Sequence, residues 1–246
     1  MKKIYLAGSS GRLGAEIQAS AQPRNLSIHQ LTRTDLPNVV ELMKRTSNVT
    51  EKVVLLDVSL PEGTESLTQS LLDSDCEQLC AFVIGATGHT QSTLKKLELL
   101  SKKVPIVLSS NFSRGVFLFE EILKARTTSG ASVAELARTL GFDLALWESH
   151  HTKKLDAPSG TAKTLAAAAG VESEKVTSTR VGSVIGEHAL LFSQEAEELR
   201  LTHTAHARRL FAEGALSLCE RLFDKDLKKR IYSMSEALNE LISIGK

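Results

Sequence analysis

One short segment of the sequence gathers two histidines, two lysines and a predicted helix start. It covers residues 148–161 and reads ESHHTKKLDAPSGT. Imidazole and ammonium groups held close together repel one another when protonated, which lowers their pKa values. An anionic ligand relieves that repulsion, and a histidine or lysine with a shifted pKa is suited to donating a proton. The segment therefore predicts a site where an anionic substrate is bound and protonated.

The end of this segment has the residues of an anion-binding helix start. Ser159, Gly160 and Thr161 precede an alanine-rich run at 162–168 that favours a helix. The free backbone N–H groups and the positive dipole end of such a helix bind a carboxylate or a phosphate. A solvated charged loop followed by an ordinary N-cap would have the same residues, so the residue chemistry leaves this alternative open.

A glycine turn near the start of the sequence points to a dinucleotide. The apolar run at 4–7 leads into GSSGRLG at 8–14, which opens a helical pattern. In a strand–turn–helix unit this places backbone N–H groups against a pyrophosphate. Ser10 stands where the middle glycine is expected, and a tight turn without a ligand is the alternative. The residues predicted to contact the cofactor here are Gly8, Ser9, Ser10, Gly11, Arg12, Leu13 and Gly14.

The residues after the second predicted strand, at 26–31, bear on the choice of cofactor. An acidic side chain there holds the ribose hydroxyls of NAD, whereas a basic one accommodates the 2′-phosphate of NADP. Arg33 follows this strand, and Arg12 lies beside the glycine turn. The two guanidinium groups predict that NADPH is preferred over NADH. Asp35 is the counter-evidence, because a small shift of the loop would bring it to the ribose.

The first part of the chain has the pattern of a doubly wound parallel sheet. Near-continuous apolar runs at 53–58, 81–85 and 104–108 alternate with helical patterns at 63–72 and 92–100. Such runs are typical of strands covered by helices on both faces. We therefore expect a Rossmann-type α/β domain. Ligands of such sheets bind outside the carboxyl ends of the strands, where Gly85, Ala86 and Thr87 follow the fourth run. A plain strand-to-helix turn is an equally good interpretation of these residues alone.

After residue 111 the pattern changes to that of an α+β domain with a mixed sheet. Its predicted elements are helices at 116–124 and 131–140, and strands at 142–147, 181–192 and 198–205, the last two antiparallel. Helical patterns at 210–219 and 233–244 return to the first domain. The predicted domains are a dinucleotide-binding domain of residues 1–111 with 208–246, and a substrate-binding and oligomerisation domain of residues 112–207.

Composition excludes several classes of partner. With 30 basic and 29 acidic residues the formal charge is +1, so no overall field favours nucleic acid or an anionic membrane.

The start of the sequence lacks the pattern of a signal peptide, and a cytoplasmic location is expected. Cys76, Cys80 and Cys219 are interpreted as reduced thiols, with the first two one helical turn apart. No metal site is predicted.

In their order along the chain, these motifs resemble those of the dihydrodipicolinate reductases of the lysine pathway, also called 4-hydroxy-tetrahydrodipicolinate reductases. Residues 8–14 resemble the family's G-x-x-G-R-x-G turn, and 148–161 resemble E-x-H-H-x-x-K-x-D-x-P-S-G-T. Further matches are 61–64, 85–88 at the nicotinamide loop, 110–116 at the interdomain crossover, 180–188 and 203–215. The loop at 171–179 is shorter than in many members.

The resemblance implies NAD(P)H-dependent reduction of a cyclic dicarboxylate, with loss of water, to give tetrahydrodipicolinate. By analogy, His150 and Lys154 deliver the proton and His151 binds substrate carboxylates together with Ser159, Gly160 and Thr161. Lys153 is assigned mainly to the general electrostatic field, or to no role. The remaining residues implied to contact the cofactor are Gly85, Ala86, Thr87, Ser110 and Phe112. The resemblance also implies a homotetramer joined through the sheets of the second domain.

Two other functions fit part of the pattern. A reductase of the same architecture acting on an aldehyde or a sugar would keep the glycine turn but would need no paired carboxylate sites. A redox sensor that binds NADP would have no use for His150, His151 and Lys154 around an anion-binding loop. The crowded basic cluster therefore argues against both alternatives.

Overall fold

A computed structural model describes residues 2–48 and 50–242. These residues form two compact units. The first unit contains the described residues up to Phe112 and those from Arg209 onward, and the second unit is Ser113–Arg208. The sequence places the two domain boundaries after residues 111 and 207, and each of these lies one residue before the boundary in the structure. The assignment of a cofactor role to one unit and a substrate role to the other stays a prediction.

The described chain alternates strands and helices in the first unit and is richer in strands in the second. The strands are β1 (Lys3–Ala7), β2 (Ser27–Leu31), β3 (Val53–Asp57), β4 (Leu79–Ile84), β5 (Ile106–Leu108), β6 (Asp143–His150), β7 (Val176–Arg180), β8 (Glu187–Gln194), β9 (Glu197–Thr204) and β10 (Ile231–Tyr232). The α-helices are α1 (Arg12–Ala21), α2 (Val39–Thr46), α3 (Pro61–Asp73), α4 (Gln91–Leu100), α5 (Arg114–Lys124), α6 (Val133–Thr139), α7 (Gly160–Ala169), α8 (Arg209–Asp224) and α9 (Met234–Leu241).

The first unit contains a six-stranded parallel sheet in the order β10-β5-β4-β3-β1-β2. This confirms the doubly wound fold. The chain leaves β1 to form β2 on one side and later returns to form β3 on the other. Strands β2 and β3 thus lie on opposite sides of β1, and open α/β sheets bind ligands outside the carboxyl ends of the strands at such a reversal of strand order.

Both faces of this sheet are buried, as the continuous apolar runs predict. Leu55 and Phe82 belong to a core cluster that includes residues of α2, α3 and α4. Their neighbours Leu56 and Val83 point to the opposite face and are also fully buried. A parallel strand must be apolar on both faces when helices cover both.

The structure corrects several details of the first unit. Helix α2 and the short strand β10 have no counterpart among the predicted elements. Cys76 follows α3 and Cys80 lies in β4, so the expected spacing of one helical turn is wrong. The thiols of both are free, as is that of Cys219. The predicted end of the last helix, at residues 243–244, lies outside the described residues.

The second unit contains a four-stranded mixed sheet in the order β7-β6-β8-β9. Strand β7 runs parallel to β6, and β8 pairs antiparallel with both β6 and β9. The mixed sheet and the antiparallel pairing of its last two strands are confirmed, but the predicted strand at 181–192 begins six residues too early. Residues 181–186 instead connect β7 to β8 through a turn in which Gly182 has a positive φ of 49°. An apolar alternating pattern does not reveal such an interruption.

Strand β6 is longer than its apolar pattern. The expected strand ends at Trp147, whereas β6 continues to His150. Along its inner face Leu146 belongs to the core formed with α5 and α7, and Glu148 and His150 continue the same alternation. The strand therefore carries polar side chains into a buried position, where they need partners from neighbouring elements.

Among the described helices, none has the length and the apolar character that crossing a membrane requires.

Candidate active site

Glu148 is a fully buried carboxylate that contacts three other parts of the second unit. Its Oε1 atom accepts a hydrogen bond from Arg180 Nη2 at 2.8 Å and another from the backbone N–H of Ser159 at 3.2 Å. Its Oε2 atom lies 2.8 Å from Nδ1 of His150. Glu148 thus connects the end of β7, the start of α7 and the first histidine of the basic segment.

The contact between Glu148 and His150 is close but not aligned. The oxygen lies away from the direction of a ring N–H, so neither Oε2 nor Nδ1 has an aligned hydrogen-bond partner among the described residues. The other ring nitrogen faces Gly186, where an added Cβ would lie 3.1 Å from Nε2. Gly186 is itself buried, and its lack of a side chain allows its backbone to pack closely against this edge of the imidazole.

Two further histidines lie in register with Glu148 across the sheet. His188 on β8 pairs with Glu148, and His203 on β9 pairs with His188. The His188 ring packs edge-on against His150, with centroids 5.2 Å apart. Each ring is also close to a helix N-cap: His188 Nε2 is 3.4 Å from Ser159 Oγ, and His203 Nε2 is 3.1 Å from Ser113 Oγ. The sheet thus brings together polar groups from three strands.

Arg180 fixes the loop that follows His150. Besides Glu148, its guanidinium donates to the backbone carbonyls of Lys154, at 3.3 Å, and of Asp156. Arg180 is also the register partner of His150 on the parallel strand β7. A rigid, planar donor of this kind can hold a carboxylate and a loop backbone at the same time.

Lys154 and Lys153 differ in their surroundings. Lys154 is partly buried, and its Nζ lies 2.8 Å from Oδ1 of Asp156. The charge of Lys154 is close enough to lower the pKa of His150. Lys153 is exposed. The loop therefore presents one lysine to the histidine cluster and the other to solvent.

The predicted anion site is a helix start in the structure. Ser159 caps α7 by accepting a hydrogen bond from the N–H of Ala162 at 3.1 Å. Gly160 is exposed, whereas Thr161 is buried, and His151 is half-buried directly after β6. The N-cap confirms the helix, and the capping contact itself satisfies only one of the free N–H groups that such a start provides.

Burial and neighbouring charges set the protonation of the cluster. Burial alone would raise the pKa of Glu148, but hydrogen bonds from Ser159 and Arg180 outweigh it and lower the pKa to about 2. Burial lowers the pKa of His150, an effect that Glu148 opposes and Lys154 reinforces. Burial and the charge of His150 lower the pKa of His188 to about 3. At neutral pH the carboxylate is ionised and His188 is neutral.

The glycine turn of the first unit has the geometry of a close backbone approach. Gly8 has a positive φ of 81°, and an added Cβ would lie 2.6 Å from the backbone of Val58. A Cβ at Gly14 would lie 2.2 Å from the carbonyl oxygen of Gly8. Helix α1 begins at Arg12 with Gly11 as its N-cap and no side-chain cap. The first turn of this helix keeps its backbone N–H groups available for an anion.

The loop after β3 is held beside this turn by a buried carboxylate. Asp57 accepts hydrogen bonds from the backbone N–H of Ser59 at 2.9 Å and from the hydroxyls of Ser59 and Thr64, both at 2.5 Å. Burial raises the pKa of Asp57, and these hydrogen bonds act in the opposite direction. Asp57 thereby fixes the backbone that faces Gly8.

The loop after β4 packs against the aromatic ring of Phe112. A Cβ at Gly85 would lie 2.6 Å from that ring. Ala86 is buried, whereas Thr87 and Ser110 are exposed. Phe112 itself is 2% exposed, so it supports the loop by packing. Its assignment as a cofactor contact stays a prediction.

The residues predicted to select the cofactor lie near two different strands. Arg33 is exposed in the turn after β2, and Arg12 is exposed at the start of α1. The Asp35 carboxylate accepts hydrogen bonds from the Thr32 backbone N–H at 2.7 Å and from the Thr32 hydroxyl at 2.6 Å. These bonds lower the pKa of Asp35. Asp35 is thus engaged within its own turn.

Local sequence patterns do not identify Arg180, His188 or His203 as site residues, although all three lie in or beside matched motifs. Their contribution depends on the register of β7, β8 and β9 with β6, which is not visible in a local pattern. The alternation of HALLF at 188–192 was the signal that places His188 on the inner face.

Comparison with known proteins gives matches along almost the whole chain. Residues 2–112 match the family model described as dihydrodipicolinate reductase, N-terminus, and residues 127–238 match the model described as dihydrodipicolinate reductase, C-terminus. The C-terminal model continues past the limit of the second unit at Arg208 into α8 and α9.

Curated relatives agree with these models. A 4-hydroxy-tetrahydrodipicolinate reductase from Stenotrophomonas maltophilia is 33% identical over 89% of this chain and 91% of its own length. One from an Exiguobacterium species is 31% identical over 96% and 95%. The solved structure of a dipicolinate-bound dihydrodipicolinate reductase from Paenisporosarcina sp. TG-14 has a TM-score of 0.65 at 21% identity, covering 95% of this chain and 97% of that one. That structural likeness supports the fold, and the sequence relatives establish that this chain belongs to the dihydrodipicolinate reductase family.

Proposed function

We propose that the protein reduces 4-hydroxy-tetrahydrodipicolinate to tetrahydrodipicolinate with NAD(P)H, in the biosynthesis of diaminopimelate and lysine. The overall change adds a hydride and a proton to the substrate and releases water. The observation that carries the proposal is the cluster in which Glu148 joins His150, Arg180 and the start of α7. Relatives that share this chain's length are named as this reductase.

The first unit fits a pyridine nucleotide. Positions 8 and 14 accept no side chain without a clash against backbone, and α1 begins with free N–H groups, so the turn is shaped for close approach of a pyrophosphate. When bound, a dihydronicotinamide supplies the hydride. Residues 8–14 would hold the pyrophosphate, and the loop at 85–87 with Ser110 would lie along the nicotinamide.

His150 and Lys154 are the proposed source of the proton. Glu148 lies on the Nδ1 side of the His150 ring, and Gly186 places no side chain on the Nε2 side, so we assign Nε2 as the donating atom. Burial and the Lys154 charge lower the pKa of His150, which makes its proton easier to release as negative charge develops on the substrate. The Lys154 ammonium stabilises that same charge.

The start of α7 is the proposed carboxylate site. Ser159, Gly160 and Thr161 lie at its positive end, and His151 immediately follows β6. Arg180 holds the intervening loop through the carbonyls of Lys154 and Asp156. A fixed loop allows the substrate to be oriented before proton transfer, which is a major source of rate enhancement.

NADPH is the proposed preferred cofactor. Arg33 and Arg12 are both exposed and can pair with a 2′-phosphate, whereas the Asp35 carboxylate is already engaged by Thr32. Comparison of the specificity constants for NADPH and NADH tests this assignment. A higher value for NADH contradicts it.

The activity is tested by following NADPH absorbance with the freshly prepared condensation product of aspartate semialdehyde and pyruvate. Consumption that depends on both enzyme and substrate is the expected result. The matched control is His150→Gln, which should bind NADPH normally but turn over slowly. No consumption by the unaltered protein at high enzyme concentration would contradict the proposal.

A homotetramer in the cytoplasm is also proposed. Trp147, Ala189 and Leu191 lie on the sheet face opposite the α5 and α7 core and are only partly buried in the single chain. Such a face is suited to packing against another sheet. Free thiols at all three cysteines are consistent with a reducing compartment. Light scattering after size-exclusion chromatography measures the assembly, and a monomer mass contradicts the tetramer.

A further inference from the structure

Three buried side chains of the second unit form a set of metal-ligand types. One candidate ligand atom from each of Glu148, His150 and His188 lies within 4.8 Å of the other two. We propose that these three side chains bind a divalent transition-metal ion of the zinc class. The ion would replace the contact between Glu148 and His150 on which the proposed proton transfer relies, so the ion-bound protein is a separate state, and its formation is tested without the reduction.

Each member of this metal cluster has a buried polar atom that forms no aligned hydrogen bond with any described residue. These atoms are Oε2 of Glu148, Nδ1 of His150 and Nδ1 of His188. The three residues are 0%, 7% and 2% exposed, respectively. Oε2 of Glu148 and Nδ1 of His150 lie 2.8 Å apart without the alignment of a hydrogen bond, and buried polar atoms that form no hydrogen bond are rare in folded proteins and call for a physical reason. A single ion provides one, because it can accept a lone pair from all three side chains.

The donor set and spacing suit zinc. Imidazole nitrogen and carboxylate oxygen bind Zn²⁺ at about 2.0–2.2 Å, which places neighbouring ligand atoms roughly 3.3–3.5 Å apart. The separation of 2.8 Å between Glu148 Oε2 and His150 Nδ1 is slightly shorter than this. The three ligand atoms lie within 4.8 Å of one another, and this upper limit is somewhat longer than the spacing in a zinc site. Small side-chain rotations are therefore sufficient. An imidazole-rich set disfavours Mg²⁺ and Ca²⁺, which prefer oxygen ligands.

Neighbouring residues orient the ligands as outer-shell groups do in metal sites. Arg180 and the Ser159 N–H occupy Oε1 of Glu148, which leaves Oε2 for an ion. Ser159 Oγ lies 3.4 Å from the Nε2 atom of His188, on the opposite side of the ring from Nδ1. Such contacts fix the rotation of a ligand. The positive charge of Arg180 already offsets part of the negative charge of the Glu148 carboxylate, which weakens its attraction for a cation. We therefore expect an exchangeable ion and not one bound permanently.

The sequence predicts no metal site, and the reason is topological. Glu148 and His150 are two residues apart on β6, but the third ligand comes from β8 through the pairing of Glu148 with His188. A motif with fixed spacing does not contain this relationship. The cluster exists only when β6 and β8 adopt the register of the folded sheet.

Titration of the chelator-treated full-length protein with Co²⁺ tests the site. We expect visible d–d absorption of a low-symmetry, nitrogen-containing site that saturates at about one ion per chain, as a three-ligand zinc-type site requires. Added Zn²⁺ should displace the Co²⁺ and abolish the absorption. Absence of a saturable spectrum overturns the proposal. Reductase activity is not the readout, so failure of the metal site and failure of the proposed function are distinguishable.

Variants locate the ion. Glu148→Gln and His188→Phe should each weaken Zn²⁺ binding by about 100-fold or more in calorimetry, since even outer-shell changes cost roughly 10–100-fold. The matched control is His203→Phe, which alters the adjacent imidazole but removes no proposed ligand. Unchanged binding in the first two variants, or loss confined to the control, overturns the assignment.

A measurement on the unaltered protein guards against variants that do not fold. X-ray absorption of the Zn²⁺-loaded protein should show a nitrogen and oxygen shell with the multiple scattering of two imidazoles. A shell with one imidazole or none overturns the proposed ligand set.

Discussion

A Cβ atom at Gly186 would lie 3.1 Å from Nε2 of His150 and 3.4 Å from its Cδ2. Gly186 has an ordinary backbone conformation, since it is absent from the residues with positive φ among those the structure describes. Its lack of a side chain therefore serves the neighbouring imidazole and not the turn itself. The proposed donation of a proton from Nε2 therefore requires that position 186 carry no side chain.

We predict that Gly186→Ala slows turnover without unfolding the protein. The added methyl group displaces the imidazole by a few tenths of an ångström and occupies the space beside Nε2. We expect kcat to fall by about 10- to 100-fold, because a misplacement of about 1 Å can cost roughly 100-fold. Steady-state kinetics measures this effect, with the melting temperature and NADPH affinity as controls. Normal kcat in the folded variant would show that Nε2 is not the donating atom.

The two lysines of the loop provide a matched pair. Lys154 contacts Asp156 and influences His150, whereas Lys153 is exposed. We predict that Lys154→Ala lowers kcat by about 100-fold or more, within the range for loss of a proton-transfer group. Lys153→Ala should leave kcat and KM near their original values.

The separation of kcat from KM decides the role of Lys154. If Lys154→Ala raises only KM, then Lys154 binds substrate and takes no part in proton delivery. A comparable loss in Lys153→Ala would instead indicate that the general charge of the loop matters more than the position of either lysine.

The sequence predicts the local parts of this site better than the long-range ones. His150, Lys154 and the α7 start are contiguous, so a single segment reveals them. The role of Arg180 depends on its pairing with His150 between parallel strands, and that of His188 on its pairing with Glu148. A shift of one residue in either register would turn these side chains to the other face.

The extent of β6 illustrates the same limit. Apolar alternation predicts the strand only to Trp147, because the next inward side chain, Glu148, is charged. In the fold, Arg180 and the Ser159 N–H compensate its burial, and the strand continues. A buried carboxylate is tolerated only with such partners, and these partners lie 32 and 11 residues away in the sequence. The glycine turn is more local, because Gly14 packs against Gly8 of the same turn, although Gly8 itself faces the backbone of Val58.

The glycine turn leads to a prediction on cofactor binding. Gly14→Ala would place a Cβ 2.2 Å from the Gly8 carbonyl oxygen, whereas Gly11→Ala would meet the same oxygen at 3.2 Å. We expect Gly14→Ala to lose NADPH binding, because the backbone must move away from the position that receives the pyrophosphate. Gly11→Ala should weaken binding much less. Fluorescence titration with NADPH measures both, and equal affinities would contradict this account.

The cysteines give a prediction that depends on pH. Burial raises the pKa of Cys80 to about 11, although the Lys52 charge opposes it, and burial also raises the pKa values of Cys76 and Cys219. Only the thiolate is nucleophilic, so at pH 8, which lies about three units below this pKa, about one Cys80 in 1,000 is reactive. Iodoacetamide labelling of the native protein should be slow and should accelerate as pH rises from 8 toward 10.

Mass spectrometry of the labelled protein identifies the modified cysteine. Labelling in guanidinium chloride is the control, since all three thiols then regain ordinary pKa values and react readily. Rapid labelling of Cys80 in the native protein at neutral pH would contradict the assigned shift.

The KM values for NADPH and NADH test the proposed role of Arg33 in cofactor selection. This side chain is exposed in the turn after β2, and Arg45 is an equally exposed arginine on α2 that serves as its matched control. We predict that Arg33→Ala raises KM for NADPH by about 10- to 100-fold, since a hydrogen bond to a charged group contributes about 1.5–3 kcal/mol. KM for NADH should change little, because NADH has no 2′-phosphate. Arg45→Ala should alter neither constant, and an equal loss with both cofactors in Arg33→Ala would mean that Arg33 supports the turn and does not read the phosphate.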